Sequence, residues 1–576
     1  MLSEAPPESW ARPAESGWEL IKHNARREVW RAPLGGRVYY VKYYFARPWR
    51  DALNALVGRS AHRAEWTSGL YAARARLPAV SAIACTPRLQ RMEASGQPGR
   101  WCAVLVTEGI EPVRPLSDFW LELMTDEDVG RCRRDVHQII ERLAELIARA
   151  HQSGFEHRDM HAANILVQTV APGRYQTLFV DLQSARRGRY VDDGAVVRNL
   201  AQLNQWFRKH STTGDRLRFL RAYLRRRDEL EPVCDFGRRL GLDFGRLVRA
   251  LARAARDHAG RLGVRRDHRT GRDGRYFARV RLSEGWRGAA MRTCKHPSPH
   301  SAASQLTLSR EWWQSQFARP LQWFDPSVGE SCKNSHSAQV RRAVLDLPEA
   351  GQLPVIIKRP LARNWQRRLV QLLTISRSRR AWSRGYALLN RDVPTARPLA
   401  VFERRWGPFV LDSLLVTEAL PGALDLEQFL RRARAERTPT EWQALKRALL
   451  PLLVAHLRRL HERGFAHRDC KAGNILVAER PALKLLWIDL DGIRFVGRPT
   501  QHQQWRALVR LHLSLAEVPG LTRTDRVRFL QSYLAHFGVA RDAWRRAWPA
   551  LSSAASAKQR TLAARRAWKL KHYGRI

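Results

Sequence analysis

The sequence predicts an α+β fold made twice: two tandem domains, each a small β-rich N-terminal lobe followed by a larger helical C-terminal lobe. Three observations carry this. The stretch His157-Arg158-Asp159-Met160-His161-Ala162-Ala163-Asn164-Ile165-Leu166 has a near-copy 310 residues later, His467-Arg468-Asp469-Cys470-Lys471-Ala472-Gly473-Asn474-Ile475-Leu476. Far ahead of each copy an apolar strand carries a lysine. Between strand and loop runs a long segment with apolar residues three and four apart, the period of an amphipathic helix. A repeat this long is a duplicated domain and not a solenoid.

Each N-terminal lobe begins with strand character. Glu28–Ala32 and Val38–Tyr44 flank Gly35-Gly36, a hairpin signal. Lys42 stands among the aromatic and β-branched residues of the second strand, and the second copy closes Val355-Ile356-Ile357 with Lys358. Only twelve of the 101 basic residues are lysine, so a lysine kept in an apolar strand is a chosen one. A helical segment follows and reaches Glu65-Trp66 in the first copy, where Glu65 is placed to pair with Lys42. The second copy reaches Ala381-Trp382 instead, and no Asp or Glu occurs between Glu349 and Asp392. Next come Val104-Leu105-Val106-Thr107-Glu108 and Leu414-Leu415-Val416-Thr417-Glu418, apolar strands that end in Thr-Glu.

The C-terminal lobes are helical. Asp135–His151 and Glu441–His461 run into His-x-x-Gly-Phe and deliver the chain to the two loops. After the loops, Leu178-Phe179-Val180-Asp181 and Leu486-Trp487-Ile488-Asp489 put an aspartate at the end of a buried strand. A closing helix repeats as Arg-Phe-Leu-x-x-Tyr-Leu at Arg218–Leu224 and Arg528–Leu534. These landmarks give domain 1 over residues 1–275, with a core at about 20–225 and a helical extension, a linker over 276–324, and domain 2 over 325–576.

Both loops read H-R-D-x-x-x-x-N, the catalytic-loop pattern of the protein-kinase-like fold. Phosphoryl transfer from ATP needs a lysine on the phosphates, oxygen ligands for magnesium and a carboxylate to orient the attacking hydroxyl. The first copy supplies Lys42 with Glu65, Asn164 and Asp181, and Asp159. The second supplies Lys358, Asn474 and Asp489, and Asp469, and adds Lys471 within reach of the transferring phosphate. Glu108 and Glu418 mark the hinges, where backbone groups would meet adenine. Asp491 follows Asp489 closely, but Asp489 ends the apolar strand and takes the metal role. The phosphate loops depart from pattern: Lys22–Glu28 and Lys333–Gln339 lack the glycines of G-x-G-x-x-G.

These motifs resemble the lipopolysaccharide core heptose kinase family. The carrying residues are Glu65-Trp66, the Val-Thr-Glu hinges, His-Arg-Asp-Met-His and His-Arg-Asp-Cys-Lys, Val180-Asp181-Leu182-Gln183-Ser184-Ala185-Arg186, and the repeated closing helix. The resemblance implies two protein-kinase-like domains, ATP and Mg2+ as cofactors, and γ-phosphate transfer to a sugar hydroxyl of a phosphorylated glycolipid, the lipopolysaccharide core. It also implies a cytoplasmic enzyme with peripheral contact at the anionic inner-membrane surface. The tandem arrangement and the missing acidic partner for Lys358 depart from the family.

Composition agrees. The net charge of +47 suits an anionic partner, although an arginine-rich, solvated surface gives the same number. No nucleic-acid motif accompanies the charge, so no specific nucleic acid is expected. Seven scattered cysteines, never in C-x-x-C, argue for a reducing compartment and against zinc or disulfides. No signal peptide opens the chain, and no apolar run approaches the roughly 18 residues that a span requires. The alternative reading is a protein or small-molecule kinase-like enzyme in which one copy, domain 2 by its missing glutamate, is a non-catalytic pseudokinase.

Overall fold

The structure is a computed structural model. It describes residues 10, 13–23, 26–45, 60–86, 90–92, 100–230, 244–294, 303, 306–335, 337–348, 351–361, 374–535 and 542–573. The chain is mixed α and β and divides into two compact units, Met1–Ala259 and Gly260–Ile576.

The first unit opens with an antiparallel sheet of β1 (Glu19–His23), β2 (Arg27–Leu34), β3 (Arg37–Phe45), β4 (Ala82–Cys85) and β5 (Arg100–Glu108), in the order β1-β2-β3-β5-β4. The short strand Gln90–Met92 also pairs with β5. Gly35 and Gly36 join β2 to β3 with φ of 55° and 72°. Such left-handed pairs match the twist of a two-residue hairpin and cost a side chain dearly. The alternation of β3 buries Tyr39, Val41, Tyr43 and Phe45 with Trp18, Trp30, Val104 and Val106. Helix α1 (Ala61–Arg74) lies between β3 and β4 in sequence and buries Glu65 among Ser68, Gly69 and Ala72.

The helical part of this unit centres on α2 (Val129–Gln152), whose buried stripe of Ile139, Ile140, Leu143, Leu146 and Ile147 follows the period read from sequence. Around it stand the hairpin β6 (Ile165–Ala171) and β7 (Arg174–Phe179), then α3 (Asp193–His210), α4 (Thr213–Leu230) and, as far as Ala259, α5 (Phe244–Asp267). At the end of α2, His151 bonds Tyr223 Oη of α4 at 2.8 Å and Asn199 of α3 at 3.0 Å. Asn199 in turn donates to the carbonyl of His157 at 2.7 Å, which fixes the start of the loop.

The second unit repeats this plan with a larger sheet. In chain order its strands are β8 (Phe277–Arg281), β9 (Trp286–Met291), β10 (Glu330–Ser335), β11 (Ala338–Asp346) and β12 (Gln352–Pro360). Helix α6 (Arg377–Leu389) follows, then β13 (Pro398–Trp406) and β14 (Phe409–Glu418). The sheet order is β8-β9-β13-β14-β12-β11-β10. Helix α7 (Pro439–Glu462), the hairpin β15 (Ile475–Ala478) and β16 (Lys484–Trp487), and helices α8 (Gln501–Ser514), α9 (Arg523–Ala535) and α10 (Ala543–Tyr573) complete it. His461 repeats the tie of His151, bonding Tyr533 at 2.8 Å.

This corrects the expected linker over 276–324. Much of that segment belongs to the second unit: β9 pairs with β13 from Trp286↔Arg404 to Ala290↔Ala400. A helix over Arg310–Gln316 buries Trp312 and Trp313. Glu284 and Gly285, with φ of 52° and 73°, make the tight turn between β8 and β9. The unit also begins at Gly260, well before residue 325.

Candidate functional site

In the first unit, local pairing brings the loop residues together. Phe179 of β7 lies opposite Ile165 of β6, and one residue on, Val180 N–H donates to the carbonyl of Asn164 at 3.1 Å. The next residue, Asp181, takes the left-handed conformation (φ 63°) and opens a short 3-10 turn. A non-glycine residue there is held by its surroundings, and such strain gathers at working sites. Asn164 Nδ2 donates to the backbone carbonyl of Asp159 at 2.9 Å and to its Oδ2 at 3.2 Å. Those bonds use the amide nitrogen, so Oδ1 is the Asn164 side-chain atom with which a metal could be met. Hard oxygen donors of this kind suit Mg2+.

The sheet contributes the cations. Lys42 Nζ bonds Glu65 Oε1 at 2.5 Å, with both side chains buried. Tyr44 Oη donates to the other carboxylate oxygen of Glu65. Arg27, the first residue of β2, grips Asp181 with two bonds, to Oδ1 at 2.8 Å and Oδ2 at 2.5 Å. Burial pushes the Asp181 carboxyl up, but the hydrogen bonds and charge of Arg27, backed by Lys42 and Lys22, outweigh it and hold the group at about 2. Asp159 is largely exposed, and His161 Nε2, 3.6 Å away, chiefly holds its carboxyl below the ordinary value.

The second unit keeps the backbone and changes the charges. Ile488 N–H donates to the carbonyl of Asn474 at 3.0 Å, and Asn474 Nδ2 donates to the carbonyl of Asp469 at 2.8 Å. Asp489 again sits at positive φ, 52°. Ala381 stands where Glu65 stood, and Lys358 Nζ bonds Asp489 Oδ1 directly at 2.6 Å. Lys358 thus has an acidic partner after all, one that comes from the loop and not from the helix. Burial raises the Asp489 carboxyl; the charge of Lys358 and its hydrogen bond outweigh this and hold it below the ordinary value. Asp469 lies near two cations, Arg510 at 3.5 Å and Lys471 at 3.9 Å.

Helix α6 is tied to the loop by other means. Arg377 and Arg380 reach Asp491 through their Nε atoms at 3.2 and 3.3 Å, and Arg384 Nη1 reaches it at 3.3 Å. Arg384 also donates to the Asp491 carbonyl at 2.6 Å. The corresponding face of α1 carries Ala61, Ala64 and Ser68, so the arginine comb belongs to the second unit.

The sequence profile of the lipopolysaccharide kinase (Kdo/WaaP) family matches residues 10–223 and again 357–533, more than half of the chain. The chain belongs to that family. Among Kdo/WaaP relatives, it is 32% identical over 172 residues to the lipopolysaccharide core heptose(I) kinase WaaP of Pseudomonas aeruginosa, covering 29% of this chain and 62% of that protein. It is 27% identical over 161 residues to WaaP of Escherichia coli, covering 27% and 59%. The chain therefore spans about three fifths of the length of these curated relatives. A solved structure titled WaaP in complex with acyl carrier protein matches at 20% identity and a TM-score of 0.31, over 42% of this chain and 88% of that one.

Within this Kdo/WaaP chain the expected residues pair as Lys42 with Glu65 and Asn164 with Asp159, Asp181 being held by Arg27, and in the second unit as Lys358 with Asp489 and as Asp469 with Asn474 and Lys471. The two hinge glutamates, expected as markers of backbone that would meet adenine, differ in their surroundings. Glu418 is buried, accepts from Ala303 N–H at 3.1 Å and lies 3.6 Å from Arg397, so its side chain serves the fold. Its backbone N–H donates to the carbonyl of Arg397 at 2.8 Å. Glu108 is half-buried at the equivalent strand end. Arg27 and the Asp491 comb escaped sequence reasoning. Arg27 lies within Lys22–Glu28, the stretch that lacks the phosphate-loop glycines, two residues before Val29.

Proposed function

We propose that this protein is an ATP-dependent phosphotransferase built from two protein-kinase-like domains. It transfers the γ-phosphate of ATP to a sugar hydroxyl of the lipopolysaccharide core, at the cytoplasmic face of the membrane. The observation that carries the reading is the constellation of the first unit: Lys42 locked to Glu65, with Asp181, Asn164 and Asp159 drawn together by the loop. Lys42 contacts the α- and β-phosphates, Asp159 orients the acceptor hydroxyl and takes its proton, and Asp181 and Asn164 Oδ1 are the groups that would hold Mg2+. The new oxygen–phosphorus bond forms as the bond to the β-phosphate oxygen breaks, and ADP leaves. Bound Mg2+ supplies neutralisation of the phosphate charge. The family membership supports the acceptor class, and the +47 charge supports attraction to a phosphorylated glycolipid and to anionic lipid.

The direct test is incubation with radiolabelled ATP and lipopolysaccharide from a core-phosphate-deficient strain. Label on the glycolipid is expected; label confined to protein would sink this reading. Replacing Asp159 by Asn should lower turnover by about 10²- to 10⁴-fold, the usual worth of a general base. A second reading concerns the second unit, because Ala381 leaves Lys358 without a helix partner and Lys358 occupies Asp489. It acts as a non-catalytic, ligand-binding copy, and Asp469→Asn then leaves turnover within about 3-fold of wild type, far short of a general base's contribution.

A further inference from the structure

The first unit has lost the glycines with which a phosphate loop offers its backbone to nucleotide, and has placed a buried guanidinium there instead. Arg27 is 9% exposed and opens β2. In register, β2 sets Arg27 opposite Tyr44 and Val29 opposite Lys42. Tyr44 and Lys42 both bond Glu65, and Arg27 bonds Asp181. Two fixed cations and two carboxylates therefore share one small buried region at the point where metal and polyphosphate would meet. The second unit has Ala338 opposite Pro360 at the matching register position, and its lysine turns to the loop aspartate by itself. The arginine is thus an addition peculiar to the more complete unit.

The chemistry of an arginine gripping a metal-ligand carboxylate with both nitrogens is that of exchange. A divalent cation arriving with nucleotide competes for Asp181, and the guanidinium it displaces cannot lose its charge. The phosphate oxygens of the same ligand present the planar, two-pronged acceptor that a guanidinium fits best. We infer that Arg27 is a nucleotide-phosphate ligand of the first unit, bridging to Asp181 when no nucleotide is bound and passing to the polyphosphate when Mg–nucleotide enters. The inference rests on the phosphotransferase reading and adds to it a residue that both contacts substrate and reserves the metal site.

The test is isothermal titration of the full chain with Mg–ADP, with adenosine and with Mn2+ alone. All proteins carry Lys358→Ala and Asp489→Asn, which remove the phosphate and metal contacts of the second unit. Arg27→Ala should weaken Mg–ADP by about 10- to 100-fold, the worth of a charged hydrogen-bond pair. It should leave adenosine unchanged and bind Mn2+ more tightly, because Asp181 is released. Arg27→Lys should fall between. Opposite shifts for nucleotide and metal distinguish a phosphate ligand from a merely structural arginine, whose loss would weaken all three ligands together. Mg–ADP affinity that is unchanged or increased in Arg27→Ala would overturn the inference alone. Absence of Mg–ADP binding with Arg27 in place would overturn it together with the phosphotransferase reading.

Discussion

Asp181 and Asp489 share one left-handed backbone conformation and one place after a buried strand, yet they face different cations. In the first unit Arg27 takes the aspartate and leaves Lys42 to Glu65; in the second, Lys358 has only the aspartate. The pair Lys42–Glu65 was legible in the sequence because a rare lysine and a helix glutamate stood at workable spacing. Arg27 was not, because arginine is this chain's default basic residue and hides among its neighbours. Glu65→Ala would strand a buried ammonium and the hydroxyl of Tyr44, and is expected to cost about 3–5 kcal/mol. Urea unfolding followed by tryptophan fluorescence reads this, and Ala381→Glu in the second unit makes the reciprocal probe. There the new carboxylate should draw Lys358 from Asp489 and tighten Mg–nucleotide binding.

At the level of elements, the two loops depend on glycines that open them. Gly154 has φ of 76°, and a Cβ there would lie 1.9 Å from the carbonyl oxygen of Gly188; Gly464, at φ 86°, would place one 2.6 Å from that of Gly497. Gly154→Ala must therefore shift backbone as well as strain it, and should cost at least about 2–3 kcal/mol. A fall in melting temperature together with loss of nucleotide binding checks it. The His-x-x-Gly-Phe pattern made this turn visible in the sequence. The comb on α6 was invisible for the opposite reason: Arg377, Arg380 and Arg384 look like a solvated face until Asp491 comes to meet them. Asp491→Ala leaves three half-buried guanidiniums facing one another and should destabilise the second unit by about 1–3 kcal/mol, a discounted buried-pair penalty. Denaturation at low and high salt separates this electrostatic loss from a packing defect, since salt should recover part of it.

Across the whole molecule, buried histidines set an acid limit. Burial chiefly lowers His151, His461 and His467 to about 4 and His456 to about 3. Each is neutral when folded but takes a proton near 6.5 when unfolded, so its stability contribution is full above pH 6.5 and is lost as pH falls toward 4. Three of the four belong to the second unit. Urea midpoints measured at fixed ionic strength should therefore fall between pH 7 and pH 5. The variant His456→Phe, which keeps a ring against Trp487, should flatten that slope by about 2–4 kcal/mol over the full range. Such behaviour could not be read from composition, because it depends on which histidines the helices enclose. The duplication was legible at this scale because period and motif agreed. The boundary between its halves was not, because the Arg-, Gly- and Ser-rich flanks of β8 and β9 conceal two short strands.

Those two strands decide how the second half can be handled apart from the first. A fragment beginning at residue 325 would lack β8 and β9 and expose the free edge of β13, a nine-residue strand from Pro398 to Trp406. Unpaired edges of that length recruit other chains. Such a fragment should precipitate or form higher oligomers on a sizing column. A fragment that begins near residue 260 keeps the edge covered, and is expected to run as a single species.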